Sequence, residues 1–341
     1  MVDLELPALI GTDPLGFLAA LGVLRLSTIE LRWHATLAWP RGPRNGAVLG
    51  GCPEGTTVES LADALFGIVE HMRTDGRLIP GVDGFPPAKE GSGGSDPIKD
   101  LSLADRSGLA TTSIGRDVRF GDWLLATVAV AARQTDDSRD RLSAAFVRPT
   151  GQVTFDRSLK SGRDELQSDH LLSALALWKR VDGVTGNYFD QRAIRDEFVG
   201  MHTGGQMKNA GVPGAAWLAL MALPMFPVRT TLSGKANTVA FQRRRGRPTR
   251  MVWPVWAQPL TSIGVAALLD HPTVARADGD NDEAIFDRRE RGQISQSLRT
   301  LGITAVFAAN RRPGPQGGDG ALGASEVVAS ASAPRTRPSP R

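Results

Sequence analysis

Asp13-Pro14 introduces a segment, Leu15–Leu26, that is apolar on almost every face of a helix, with Arg25 as its first charge. Asp13 suits the N-cap, and Pro14 suits the first helical position, where a missing N–H costs nothing. A helix that apolar needs cover on most sides, so the rest of the chain has to wrap around it. It falls short of the roughly 20 residues a bilayer span needs. The other long apolar stretch, Ala215–Val228, is interrupted by proline. No transmembrane helix and no membrane partner are therefore expected. The start, Met1-Val2-Asp3-Leu4-Glu5, is acidic where a secretory signal carries lysine or arginine. Cys52, the one cysteine, forms neither an intrachain disulfide nor a clustered-thiolate zinc site. These features point to the cytoplasm.

Around that helix the patterns predict an α+β fold. Residues 4–10 read as an extended segment. Ile29–Trp33, Thr36–Trp39 and Ala47–Leu49 read as strands of an antiparallel meander, the first two with the alternation of half-buried strands. Thr57 caps a second helix, Val58–Arg73, with Leu61, Leu65, Ile68, Val69 and Met72 on one face. Residues 74–121 are rich in glycine, proline and serine and read as a flexible segment. The second half reads as helix-rich, with helices at Leu124–Arg133, Leu171–Arg180, Gln191–Val199 and Ala215–Leu223. Strands are expected at Gln152–Phe155, Val239–Phe241, Met251–Trp253 and Thr304–Phe307. Helix and strand mix without a βαβ rhythm. The organisation is one α+β domain over 1–310, or two lobes, 1–73 and 122–310, joined by 74–121. Beyond Asn310 the Gly/Pro/Ala/Ser/Arg composition predicts a disordered tail, 311–341.

Several chemistries lack their residues. Ser233-Gly234-Lys235-Ala236 has neither the upstream glycine nor the hydroxyl of a phosphate-binding P-loop. No G-x-G-x-x-G follows a strand, and no G-x-S-x-G elbow or H-E-x-x-H helix occurs. Asp169-His170 and Asp270-His271 reverse the His-Asp order of metal phosphohydrolases and read as caps or surface features. Asp182, Asp190, Asp196 and Glu197 are the densest carboxylate region. They read either as ion-pair partners of Arg180, Arg192 and Arg195 or as a Mg²⁺ site for phosphodiester cleavage. No catalytic residue, metal or cofactor is assigned.

Two constellations carry the binding reading. Gln242-Arg243-Arg244-Arg245-Gly246-Arg247-Pro248-Thr249-Arg250 lies between two strand-like segments, so a hairpin there presents a basic tip to phosphates. Removing these five arginines from a formal net charge of +4 leaves the rest of the chain at −1, so the basicity is local. The alternative is a solvated loop, or one that docks on an acidic protein. Trp253 and Trp256 just beyond, among apolar and proline neighbours, read as core anchors in preference to base-stacking platforms. In His202–Asn209, Gly204 and Gly205 let the backbone approach an anion, and Lys208 adds a charge. That stretch reads as a phosphate clamp or as a glycine turn before the helix near Pro213.

Three stretches also carry a resemblance. Leu9-Ile10-Gly11-Thr12-Asp13-Pro14-Leu15-Gly16-Phe17-Leu18 and its continuation to Arg25 resemble the N-terminal signature of type I-G (formerly I-U) CRISPR-associated proteins. Gly211–Pro224 and Val252–Leu260 are similar to the family described as an extension of that system's helicase-nuclease. The likeness spans roughly residues 4–310 and lies mostly in apolar packing segments. It implies an accessory role in CRISPR interference, beside the crRNA-guided surveillance complex or the helicase-nuclease. The implied partners are nucleic acid (DNA or crRNA), effector proteins, or both. The resemblance transfers no catalytic residue.

Overall fold

The computed structural model describes residues 1–87, 102–114, 117–130, 155–184, 189–190, 210–230, 234, 236–244, 247–271, 274, 292–293, 296–313 and 319–330. The first strand, β1 (Val2–Ile10), leads into α1 (Pro14–Ile29). Asp13 caps this helix as predicted: its Oδ1 accepts from the N–H groups of Leu15 at 2.9 Å and Gly16 at 3.1 Å. Every residue of α1 from Pro14 to Ser27 is buried. The strand expected at Ile29–Trp33 does not form, because α1 continues through Ile29 and the Glu30 and Leu31 N–H groups still donate to the Leu26 carbonyl. Arg32 then turns the chain with φ +57°. Helical hydrogen bonding overrides the local alternation.

Next come β2 (Thr36–Ala38) and β3 (Gly46–Cys52). The sheet order is β1-β3-β2, with β3 antiparallel to both neighbours, so the strands are not a simple sequential meander. Thr57 caps α2 (Val58–Thr74) in a reciprocal box with Ser60, and the predicted face of Leu61, Leu65, Ile68, Val69 and Met72 is buried.

Residues 74–121 hold more structure than their composition predicts. They contain α3 (Leu103–Ile114) and the start of α4 (Val118–Thr127), whose cap Asp117 accepts from the Arg119 N–H. Phe85, in the same segment, lies in ring contact with Phe120, Trp123 and Phe155. The Gly91–Ser95 run is outside the described residues.

Then follow α5 (Phe155–Asp164), α6 (Ser168–Ala176), β4 (Val181–Asp182), β5 (Ala210–Gly211), α7 (Pro213–Met221), β6 (Val228–Thr230), β7 (Ala236–Thr238), β8 (Phe241–Arg244) and β9 (Arg247–Trp256). The chain continues with α8 (Ser262–Leu269), β10 (Gly292–Gln293), α9 (Gln296–Thr300), β11 (Ile303–Pro313) and β12 (Asp319–Ser330). Phe155 opens a helix and does not close a strand, while the helix expected at Gln191–Val199 lies outside the described residues. Val239 and Ala240 form the turn between β7 and β8.

Among the described residues of the second half, sheet is thus at least as common as helix. Its five-stranded sheet has the order β10-β12-β11-β9-β8, antiparallel except where β10 runs parallel to β12. The fold is mixed α+β. The boundary drawn at residue 311 moves, because β11 and β12 carry regular structure to Ser330. Residues 331–341 are outside the described set.

One hydrophobic cluster runs from Leu6 to Ala329, and both 1–73 and 122–310 contribute to it. Helix α1 crosses α7 so closely that a Cβ at Gly22 would lie 1.9 Å from the Leu218 carbonyl oxygen, which only glycine permits. The two larger sheets meet where Leu37 bridges Leu260 and the Trp39 N–H donates to the Trp256 carbonyl at 2.9 Å. At that seam Phe17 stacks on Trp39 at 5.7 Å, and Trp253 on Phe307 at 5.9 Å. Two indole N–H groups stitch the sheets, Trp253 donating to Gly11 O at 2.9 Å and Trp256 to Leu37 O at 2.7 Å, while Trp39 donates within the N-terminal half to Leu9 O at 3.0 Å. Trp253 and Trp256 are completely buried, as core anchors and not as stacking platforms.

Candidate nucleic-acid interface

The arginine run folds into the edge of the larger sheet. Phe241 pairs with Met251, Gln242 with Arg250, and Arg244 with Arg247, so β8 and β9 form an antiparallel hairpin with a register shift between Gln242 and Arg244. This pairing leaves Arg245 and Gly246 as the connection, and both lie outside the described residues. Arg243 and Arg244 stand on β8, and Arg247 opens β9.

Arg250 differs from the others. Its Nε donates to Gln242 Oε1 at 2.8 Å, its Nη1 lies 4.0 Å from Glu326 of β12, and its side chain is 15% exposed. It ties the hairpin base to the sheet, four residues behind the tip.

The sheet order brings a second basic element to the same end. Asn310 pairs with Arg250, so the last residues of β11 lie beside the first residues of β9. Arg311 and Arg312 sit there. Arg311 is buried at 2%, its guanidinium 5.7 Å above the Phe241 ring, and Arg312 is exposed. Sequence reasoning missed both, although the Arg-Arg doublet directly follows the strand-like Thr304–Phe307. Assigning everything after Asn310 to a disordered tail hid it.

Gly204, Gly205 and Lys208 lie outside the described residues. The helix expected after them does start at Pro213, with Val212 as its N-cap.

The carboxylate region separates. Asp190 is buried, with Oδ2 2.7 Å from Arg180 Nη2, and Arg180 also donates to Ala210 O at 2.7 Å. Asp182 is exposed on β4, while Asp196 and Glu197 are outside the described residues. Among the described residues no three His, Cys, Asp or Glu side chains gather in a way that would hold a metal ion. His170 acts as a cap, its Nδ1 accepting the Gln167 N–H at 3.2 Å. Asp270 closes α8 and pairs with Arg229.

No family model matches the chain, and no curated protein matches it. The arrangement must therefore speak through its own chemistry. Among the described residues, no helix is long and apolar enough to cross a membrane. The lone thiol is withdrawn: Cys52 is buried, and desolvation with Asp3 nearby pushes it up to about 11, away from the reactive thiolate.

The other strongly perturbed charge, Arg25, sits inside the core. Burial pulls its guanidinium down to about 10, against the favourable fields of Asp122 and Glu30. It lies 5.4 Å over the Trp123 ring. Among the described residues, Arg243, Arg244, Arg247, Arg250, Arg311 and Arg312 gather on neighbouring strands at one end of the five-stranded sheet; the guanidinium is a planar fork that matches phosphate oxygens.

Proposed function

We propose that this protein is an accessory component of type I CRISPR interference that contacts nucleic acid through the β8–β9 hairpin and leaves strand cleavage to a partner. The observation that carries the reading is the pairing of Arg244 with Arg247 at the sheet edge, which concentrates arginine at one tip of a chain whose remaining charge sums to −1. The stretches Leu9–Arg25, Gly211–Pro224 and Val252–Leu260, similar to type I-G proteins, support the assignment to that system. The proposed partners are DNA or crRNA, effector proteins such as the surveillance complex or helicase-nuclease, or both, and the proposed compartment is the cytoplasm.

Engagement of phosphates by n arginines releases counterions, so affinity falls with salt at a slope of about −0.9 per contact on duplex DNA. The test incubates the purified chain with labelled single- and double-stranded DNA and RNA in Mg²⁺ or Mn²⁺. Salt-sensitive binding without cleavage is expected, with affinity lowered and slope flattened in Arg243→Ala/Arg244→Ala/Arg247→Ala. Metal-dependent cleavage that disappears in Asp190→Ala would overturn the proposal. Binding with a slope unchanged by the triple substitution would transfer the hairpin from nucleic-acid to protein recognition.

A further inference from the structure

A cavity of about 420 Å³ lies between the end of α2, the loop that follows it and the start of α5. That volume falls within the range of small-ligand pockets. Leu78, Val82, Phe85 and Pro86 supply its apolar wall. Phe85 is held there by ring contacts with Phe120, Trp123 and Phe155, so the wall exists before any ligand arrives.

The charged groups of the described lining are Asp75, Arg77, Asp83 and Asp156, a net charge of −2. Three of the four are engaged with one another, because Arg77 lies 2.7 Å from Asp75 and 2.6 Å from Asp83. Asp156, in the first turn of α5, differs. Its Oδ1 is buried and accepts no hydrogen bond. Buried polar groups are paired as a rule. This carboxylate has given up part of its hydration without gaining a donor in exchange, and it borders the cavity. A cation that enters meets a charge already partly desolvated, whose field water screens less than that of a fully exposed one.

The residues also choose among cations. Among the described residues no three carboxylate, imidazole or thiol groups gather to hold a metal ion. One unpaired carboxylate beside an apolar wall suits a nitrogen head on an aliphatic stem, with the head at Asp156 and the stem along Leu78, Val82 and Phe85.

We propose that this cavity binds an alkylammonium or alkylguanidinium group, carried by a free amine or by a lysine or arginine side chain of a protein, with the Asp156 carboxylate as its counter-ion. The site shares no residue with the arginine hairpin and does not depend on the nucleic-acid reading.

The full chain is titrated by calorimetry with agmatine, with acetyl-Gly-Arg-Gly-amide and with the neutral acetyl-Gly-Gln-Gly-amide. At least one cationic probe is expected to bind with a Kd below about 1 mM. Asp156→Asn, which keeps the shape and removes the charge, is expected to weaken that binding about tenfold or more. Its unfolding midpoint is expected to equal or exceed the parent's, because no donor loses its acceptor. Tighter binding of agmatine than of the arginine peptide would assign the site to a free amine, and the reverse order to a protein side chain.

Failure of both cationic probes to bind would overturn the proposal. So would a glutamine peptide that binds as tightly as the arginine peptide, a comparison made on the parent chain alone. Unchanged affinity in Asp156→Asn would remove Asp156 as the counter-ion, and a lowered midpoint would show that its carboxylate serves the fold instead.

Discussion

Strand β9 begins among arginines and ends among tryptophans, and different physics holds its two halves. From Met251 to Trp256 every residue is buried, and two indoles donate to backbone carbonyls of the N-terminal segment. From Arg247 to Arg250 the strand runs beside β8 at the sheet edge, where Arg250 is the last residue engaged with the body of the sheet. The tryptophan half locks the sheet to α1 and makes the strand rigid. The arginine half continues the same strand, paired with β8 at the sheet edge. One strand thereby converts burial at one end into presentation at the other.

The largest test of this division is Trp253→Ala. Removing a fully buried indole costs about 3–5 kcal/mol, and the Gly11 carbonyl also loses its donor. Urea unfolding is expected to show a loss of about 4 kcal/mol or failure to accumulate folded protein. A loss below about 1 kcal/mol would mean that the seam does not anchor the sheet.

Arg25→Ala is expected to follow. Arg25 is a core arginine over Trp123, flanked by Asp122 and Glu30. Its removal takes the opposing charge from Asp122, leaves Glu30 to Arg119, and opens a cavity, at about 3 kcal/mol. Burial already raises the Asp122 carboxyl above its usual range, with the Arg25 field opposing. A raised folded-state value lowers stability as pH climbs from the unfolded value through the folded one. Without Arg25 that loss deepens, so the variant is expected to recover part of its deficit at acidic pH. A deficit that is the same at pH 4 and pH 7 would show that Asp122 is not coupled to Arg25.

The sequence exposed the tryptophan half better than the arginine half. Asp13 and Pro14, the all-round apolar Leu15–Leu26, the Thr57 cap and the face of α2 are local signals, and each is present in the fold. The burial of Trp253 and Trp256 was legible from their apolar and proline neighbours. Pairings between distant segments were not. Nothing within Asp319–Ser330, a run of Gly, Ala and Ser with few large side chains, announces a strand. Ala321, Leu322 and Ala329 are buried because β11 already offers an edge to pair with. Arg311 and Arg312 became part of the arginine end only through the pairing of β11 with β9.

Arg250 stands at the boundary between the halves and gives the finest test. Arg250→Ala removes a charge-assisted hydrogen bond to a buried Gln242 side chain, and such bonds contribute about 1.5–3 kcal/mol. The variant is expected to lose about 1–2 kcal/mol, with little change in the salt dependence of binding. Arg244→Ala sits beyond that tie, opposite Arg247. Its stability is expected to stay within about 0.5 kcal/mol of the parent, while the salt slope falls by about 0.9. Paired urea unfolding and salt titrations on the two variants separate the roles. If Arg250→Ala changes the slope and leaves stability intact, the boundary moves inward and Arg250 belongs to the presented half. If Arg244→Ala destabilises the protein instead, the tip is part of the scaffold. A double variant that loses the sum of the two single effects would show that support by Arg250 on β9 and recognition by Arg244 on β8 are energetically independent.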